Sequence, residues 1–210
     1  MAASTDSGAQ PGYNVVVAEN LRQSNPPLER LAVSVRPAYA RDAALLYHWR
    51  SEPSVRQHQP LSHLSMSQLR SEIAAQNIES LHQDSGEKFQ WIVTAPEPVG
   101  WITLVVANWE HGLAEIGYAL GTRHQRRGIM RRALGPLLDD LFARTSLRRL
   151  EARCAIDNLA SQKVLEALGF EREGLLKQFF VLRGQPVDNY LFALLREDWP
   201  PRSGPRSVAF

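Results

Sequence analysis

Between Gly121 and Arg132 the chain carries five arginines, Arg123, Arg126, Arg127, Arg131 and Arg132, and no acid. Such a cluster attracts anions whatever the net charge of the whole chain. It sits where a strand-like run ends at Leu120 and an amphipathic helical pattern begins at Met130, so the loop Gln125-Arg126-Arg127-Gly128-Ile129-Met130 opens a helix. The first turn of a helix has unpaired N–H groups and the positive end of the helix dipole, which together suit a phosphate. Gly128 lets the backbone approach a ligand closely, and the arginines add charge-assisted bonds. The loop has neither the Gly-Lys-Ser/Thr of a P-loop nor the repeated glycines of a dinucleotide fingerprint. By its own physics it is an anion site whose bland alternative is a solvated basic face.

Other reactive residue types say less. The single cysteine, Cys154, excludes an intrachain disulfide and fits a reducing cytoplasm. By alternation it faces the same way as Leu150 and Ile156, which makes it a core residue. The histidines, His58 among them, show no metal-ligand spacing, so no metal is expected. Trp91 and Trp101 read as core, while Trp49 and Trp109 could line an acceptor pocket. Net charge is +2 with 22% charged residues, which points to no particular partner. No apolar run is long enough to span a bilayer, and no secretory signal is visible.

The elements that must position the loop follow from periodicity. Residues 1–30 read as a flexible leader in which Val15–Val17 could add an edge strand, residues 31–199 as one domain, and 200–210 as a loose tail. Leu31–Arg36 reads as a strand, and Asp42 as the cap of a helix carrying Leu45, Leu46 and Trp49. A second helical pattern runs through Met66, Leu69, Ile73 and Leu81. Strand-like runs follow at Phe89–Thr94, Val99–Val106 and Leu113–Leu120. The helix after the basic loop holds Leu134, Leu137, Leu138 and Leu141 on one face, with Pro136 expected to kink it. A strand with Leu150, Ala152 and Cys154 on one face and Arg149, Glu151 and Arg153 on the other comes next. Asn158 caps a helix ending at Gly169, and Leu175–Leu182 and Val187–Leu195 close the domain as strands. The sum is a mixed α/β fold with a largely antiparallel central sheet flanked by helices.

The loop Gln125–Met130 resembles the Gln/Arg-x-x-Gly-x-Gly/Ala motif of the GCN5-related N-acetyltransferases, with Met130 in place of the final small residue, as in the RimJ/RimL-like branch. Glu115-Ile116-Gly117-Tyr118-Ala119-Leu120 looks like the strand before that motif. Asn158-Leu159-Ala160-Ser161, Leu168-Gly169-Phe170 and Glu173-Gly174 look like later blocks in the same order. At the front, Arg36-Pro37-Ala38 and Trp49-Arg50-Ser51-Glu52-Pro53 resemble the first strand and helix. The resemblance spans roughly residues 31–199 and is sharpest from Glu115 to Gly174.

That resemblance implies direct transfer of an acetyl group from acetyl-CoA to a primary amine, with no covalent enzyme intermediate and no metal. It implies that Gln125, Arg126, Arg127, Gly128, Ile129, Met130 and Arg131 hold the pyrophosphate. Backbone groups of Leu120 and Gly121, and the Asn158 side chain, would hold the pantetheine arm. It makes Glu115 the candidate base and Ser161 the candidate donor near the sulfur, since the tyrosine usual elsewhere in the family is replaced by Leu165. The acceptors met in that branch are protein N-termini, small amines, antibiotics and amino acids, and the diffuse middle of the resemblance selects none of them. Dimers are common in the family; no motif in this sequence specifies one. Two other readings remain at this stage: a coenzyme A-binding domain without catalysis, and a nucleic-acid module using Arg123–Arg132. Few aromatics stand among those arginines to stack on bases, which ranks the latter last.

Overall fold

The computed structural model describes residues 32–199; the leader over residues 1–30, including the run Val15–Val17, and the tail over 200–210 lie outside the described residues. Seven strands form one sheet: β1 (Ser34–Pro37), β2 (Lys88–Thr94), β3 (Pro98–Asn108), β4 (Leu113–Leu120), β5 (Arg149–Ala155), β6 (Glu171–Leu182) and β7 (Gln185–Leu195), in the order β1-β2-β3-β4-β5-β7-β6. Every pairing is antiparallel except β4 with β5. Parallel neighbours need a crossover, and the basic loop with its helix supplies it.

Helices α1 (Ala43–Ser51), α2 (Pro53–Arg56), α3 (Met66–Ala75) and α4 (Ile78–Leu81) precede the sheet's centre, and α5 (Ile129–Arg144) and α6 (Leu159–Glu166) follow it. The helical pattern from Met66 to Leu81 is therefore two helices. Ser65 caps α3 through the Gln68 amide, and Asn77 restarts the chain as the cap of α4. Helix α5 is one helix with Pro136 inside it.

Strand alternation divides the core between two faces. On one face Leu134, Leu137, Leu138 and Leu141 of α5 pack with Trp91, Ile102, Leu104, Ile116, Leu150 and Phe192. On the other, Leu46 and Trp49 of α1 and Leu69 and Ile73 of α3 cover Ile92 and Trp101. Trp49 is buried and stacked on Trp101 at 6.3 Å between ring centres, so it is core rather than pocket lining. No residue of β5, β6 or β7 belongs to this second cluster. The face carrying Glu115, Arg149, Glu151 and Arg153 is accordingly charged and partly exposed.

Asp42 does not cap α1. Its carboxylate accepts from both Arg36 terminal nitrogens at 2.7 and 2.8 Å and from the Tyr39 N–H at 2.8 Å, pinning the corner between β1 and α1. Burial alone would push the Asp42 carboxyl up. The Arg36 guanidinium and the Tyr39 N–H outweigh it and hold that carboxyl below its usual range. Ile156 falls just past the end of β5 and is exposed, so it does not share the core face of Leu150 and Cys154.

Candidate active site

The site is built on an interruption in the sheet. Strands β4 and β5 pair only at Leu113 with Arg149, Ala114 with Leu150 and Glu115 with Glu151, although β4 continues to Leu120 and β5 to Ala155. Beyond Glu115 the two strands are not paired, and β4 there has an edge without a neighbouring strand. In an antiparallel ladder alternate residues turn both backbone groups to the same side. The Gly121 N–H bonds the Val99 carbonyl at 2.9 Å, so Gly121 faces β3. Tyr118 and Leu120 therefore face the gap, where their carbonyls accept from the side-chain amides of Gln59 at 2.6 Å and Gln125 at 3.0 Å.

An edge of this kind suits an extended chain bearing amides, which could bond to it as an added strand does. The Leu120 carbonyl faces the gap and keeps a second lone pair beside the Gln125 bond. The Gly121 N–H is used within the β3–β4 hairpin. Gln125 acts as a brace rather than a charged contact, reaching back to Leu120. The stretch that follows is fastened to the α1–α2 junction: Glu52 accepts from the Thr122 N–H at 2.6 Å, and Ser54 and Thr122 share a hydroxyl bond of 2.6 Å.

At the mouth of the gap the chain turns into α5. Arg126 has φ 59° and Gly128 φ 68°, two left-handed residues that fold the loop back on itself. No side chain caps α5, and its first backbone bond runs from the Arg132 N–H to the Gly128 carbonyl. The amides of Ile129, Met130 and Arg131 precede that bond and form the first turn, the part of a helix with orphan donors. A β-carbon built on Gly128 would meet nothing within 4 Å, so the space over this turn is open. An uncapped, roomy helix start among arginines fits a pyrophosphate, and the unpaired edge beside it fits an amide-bearing arm. The residues present thus suit coenzyme A. The side chains of Ile129 and Met130 are buried in the core, which leaves only their backbone at this turn.

On the far side of the gap, Asn158 caps α6 by accepting from the Ser161 N–H at 3.2 Å, which leaves its amide nitrogen for a ligand. Ser161 sits one hydroxyl bond, 2.9 Å, from Tyr118 of β4. This contact crosses the gap, and sequence reasoning missed it. Leu165, in the position of the family's usual tyrosine, is buried in the core. Tyr118 is the one tyrosine between Glu115 and Gly174, which was the available signal. Burial pushes its phenol up, with the Ser161 bond opposing, so it remains a neutral donor across the physiological range. Cys154 lies beneath, and burial pushes its thiol up to about 11. That is the behaviour of an inert core thiol.

Glu115 lies at the closed end of the gap. It points to the opposite face of β4 from Tyr118, because the two are separated by an odd number of residues. Its carboxylate is ion-paired with Arg153, which also reaches Glu151 at 3.5 Å. Glu151 and Glu173 share Arg149 at 2.9 and 2.5 Å. Glu115 and Ser161, the two candidate catalytic residues, are thus on opposite sides of the sheet and meet only through the gap. Among the described residues no helix is long and apolar enough to cross a membrane.

Residues 33–171 match the model of the acetyltransferase (GNAT) domain. The chain is 33% identical to the uncharacterized N-acetyltransferase p20 of Bacillus licheniformis over 81% of its own length and 96% of the relative's. Among solved structures it superposes on the ribosomal-protein-S5-alanine acetyltransferase of Vibrio fischeri with a TM-score of 0.69 and 25% identity, covering 80% of this chain and 96% of that one. It superposes on Mycobacterium smegmatis RimJ, solved with a coenzyme A disulfide, with a TM-score of 0.68 and 26% identity over 80% and 84% of the two chains.

Proposed function

The chain belongs to the GNAT acetyltransferase family, and on that premise we propose that it acetylates the α-amino group of a protein or peptide N-terminus. It is an N-acetyltransferase that uses acetyl-CoA. The acceptor class rests on one observation: on the face of the gap open to an acceptor, Glu115 and Glu151 are both bridged to Arg153. A lysine with pKa ~10.4 would require roughly 4–5 kcal/mol to deprotonate at pH 7, and a free carboxylate is the usual help. An α-amine with pKa ~8 is already about a tenth neutral at that pH and needs less. The name of the Vibrio fischeri neighbour, a ribosomal-protein-S5-alanine acetyltransferase, supports the same reading.

In this reading the first turn of α5 with Arg126, Arg127 and Arg131 holds the pyrophosphate. The Leu120 carbonyl and the Asn158 amide hold the pantetheine arm. Acetyl-CoA supplies the activated acyl carbon. Tyr118 and Ser161, bonded to each other, deliver a proton to the departing thiolate. Glu115 and Glu151 orient the incoming ammonium. A cytoplasmic location, where new N-termini and acetyl-CoA meet, goes with this role.

The test is a panel of peptides beginning with alanine or serine, matched peptides with a blocked N-terminus and one internal lysine, and spermidine. Each is incubated with acetyl-CoA and read by product mass. Modification confined to free N-termini is the expected result. Modification of the lysine peptides or of spermidine, with the free N-termini untouched, would overturn the acceptor assignment.

A further inference from the structure

We infer that His58, oriented by Asp157, is the group that accepts the acceptor amine's proton. The inference rests on the reading of the gap as the acetyl-transfer centre, and it assigns that centre a base other than Glu115, whose carboxylate is paired with Arg153.

The chain leaves α2 at Arg56 and crosses the mouth of the gap before α3 begins at Met66. Two consecutive residues of this crossing are tied to the gap. Gln59 bonds the Tyr118 carbonyl on the β4 edge at 2.6 Å. His58 Nδ1 lies 3.2 Å from Asp157 Oδ1, in the turn between β5 and α6. The His58–Asp157 contact thus joins the two halves of the sheet at its open end. Asp157 directly precedes Asn158, whose cap fixes Ser161, the partner of Tyr118. The imidazole, the phenol and the serine hydroxyl are therefore set around one opening.

The pairing also fixes the ring's role. With Nδ1–H donating to the Asp157 carboxylate, Nε2 keeps its lone pair and can accept a proton. None of the hydrogen bonds of His58 described here uses Nε2. The side chain is 20% exposed, shielded but in contact with solvent, as a base that must return its proton to water requires. The titratable groups on the elements that its segment is tied to are Arg56 and His63 on the segment itself, bonded to each other at 3.1 Å, Tyr118 on β4, whose carbonyl holds Gln59, Cys154 on β5 and Asp157 on the turn. Asp157 is the carboxylate that bonds it.

The proton balance closes without a further reactant. The acceptor enters as an ammonium, and His58 Nε2 takes one proton and later passes it to solvent. The neutral nitrogen forms a bond to the thioester carbon and the carbon–sulfur bond breaks. The thiolate receives a proton from the Tyr118–Ser161 pair. The amide nitrogen's surplus proton restores that pair.

A purely structural clasp would explain the same contact, so the test uses pH. With acetyl-CoA and an alanine-initiated peptide, wild-type kcat/KM should fall on the acid side. His58→Gln should lower kcat on the order of 100-fold and abolish that limb, with acetyl-CoA affinity within about threefold of wild type. Asp157→Asn should lower kcat in the same direction with acetyl-CoA affinity unchanged, because the ring loses the carboxylate that orients it. Glu115→Gln should keep the limb. Survival of the limb in His58→Gln, or its loss in Glu115→Gln instead, overturns the assignment. NMR signals of the His58 ring in the acetyl-CoA complex read the same pair without any acceptor. They should report Nδ1–H bonded to a carboxylate and change in Asp157→Asn. Ring signals that ignore the substitution overturn the proposal, whereas the expected response with no peptide acetylated overturns only the acceptor class.

Discussion

Gly128→Trp should raise the dissociation constant for acetyl-CoA by on the order of 100-fold or more, while leaving the protein folded. The two effects separate because of what surrounds this residue. Gly128 has φ 68°, so any side chain there adds strain of roughly 1–2 kcal/mol. A β-carbon would nevertheless meet no atom within 4 Å, so the fold has room for it. That room lies over the uncapped first turn of α5, where the pyrophosphate is proposed to sit. An indole there displaces the anion from the helix amides. Losing two charge-assisted bonds at about 1.5–3 kcal/mol each corresponds to at least about 100-fold in affinity. Isothermal titration with acetyl-CoA measures the loss, and circular dichroism checks the fold. Arg126→Glu, at the other left-handed residue of the loop, should weaken binding in the same direction. Unchanged affinity in both variants would remove the pyrophosphate from this loop.

Tyr118→Phe should lower kcat on the order of 100-fold with acetyl-CoA affinity changed less than about threefold. The hydroxyl it removes is the one bonded to Ser161 across the gap. Ser161→Ala should have a comparable effect, and the double variant should be little worse than the poorer single, because residues that act as a unit are not additive. Steady-state kinetics on the three variants gives the answer, and additive losses would mean that the two hydroxyls act separately. The pH dependence of stability is fixed by the same burial. The Tyr118 phenol is held above its unfolded value, so the folded state binds its proton more tightly. That contribution to stability is fully present below about pH 10 and is lost as the pH rises through the folded value. Urea unfolding of wild type against Tyr118→Phe between pH 9 and 11 should show it.

Local features were legible where the determinant is local. Strand β4 occupies the very span its alternation marks, Asn158 caps α6, and the α5 face from Leu134 to Leu141 packs as its period requires. Features set by distant partners were not. Asp42 reads as a cap, but Arg36 and the Tyr39 amide claim its carboxylate first. Tyr118 alternates with Ile116 and Leu120 and so reads as core, and the serine that gives it a function is 43 residues away. Glu115 reads as a free carboxylate because the parallel register that lets Arg153 of β5 reach it leaves no mark in either strand. The early end of the β4–β5 pairing is equally silent, since both strands keep their period past Glu115. His58 had no spacing to recommend it, and only the crossing between α2 and α3 brings it to Asp157.

The short seam between β4 and β5 also bears on the order in which the chain acquires its structure. Strands β1 to β4 are neighbours in sequence or joined through α1–α4, β2, β3 and β4 form a meander, and β6 and β7 form a hairpin. The two groups are stitched by three residue pairs that must wait for the chain to cross through α5. Contacts of that kind close late, so the seam is the last part of the sheet to form and the first to part. Native-state hydrogen exchange should accordingly resolve two cooperative groups of amides, β1–β4 and β5–β7, with different opening free energies. A single uniform group would show instead that the helices weld the halves into one unit. Chemistry has been placed along the shortest ladder of the sheet.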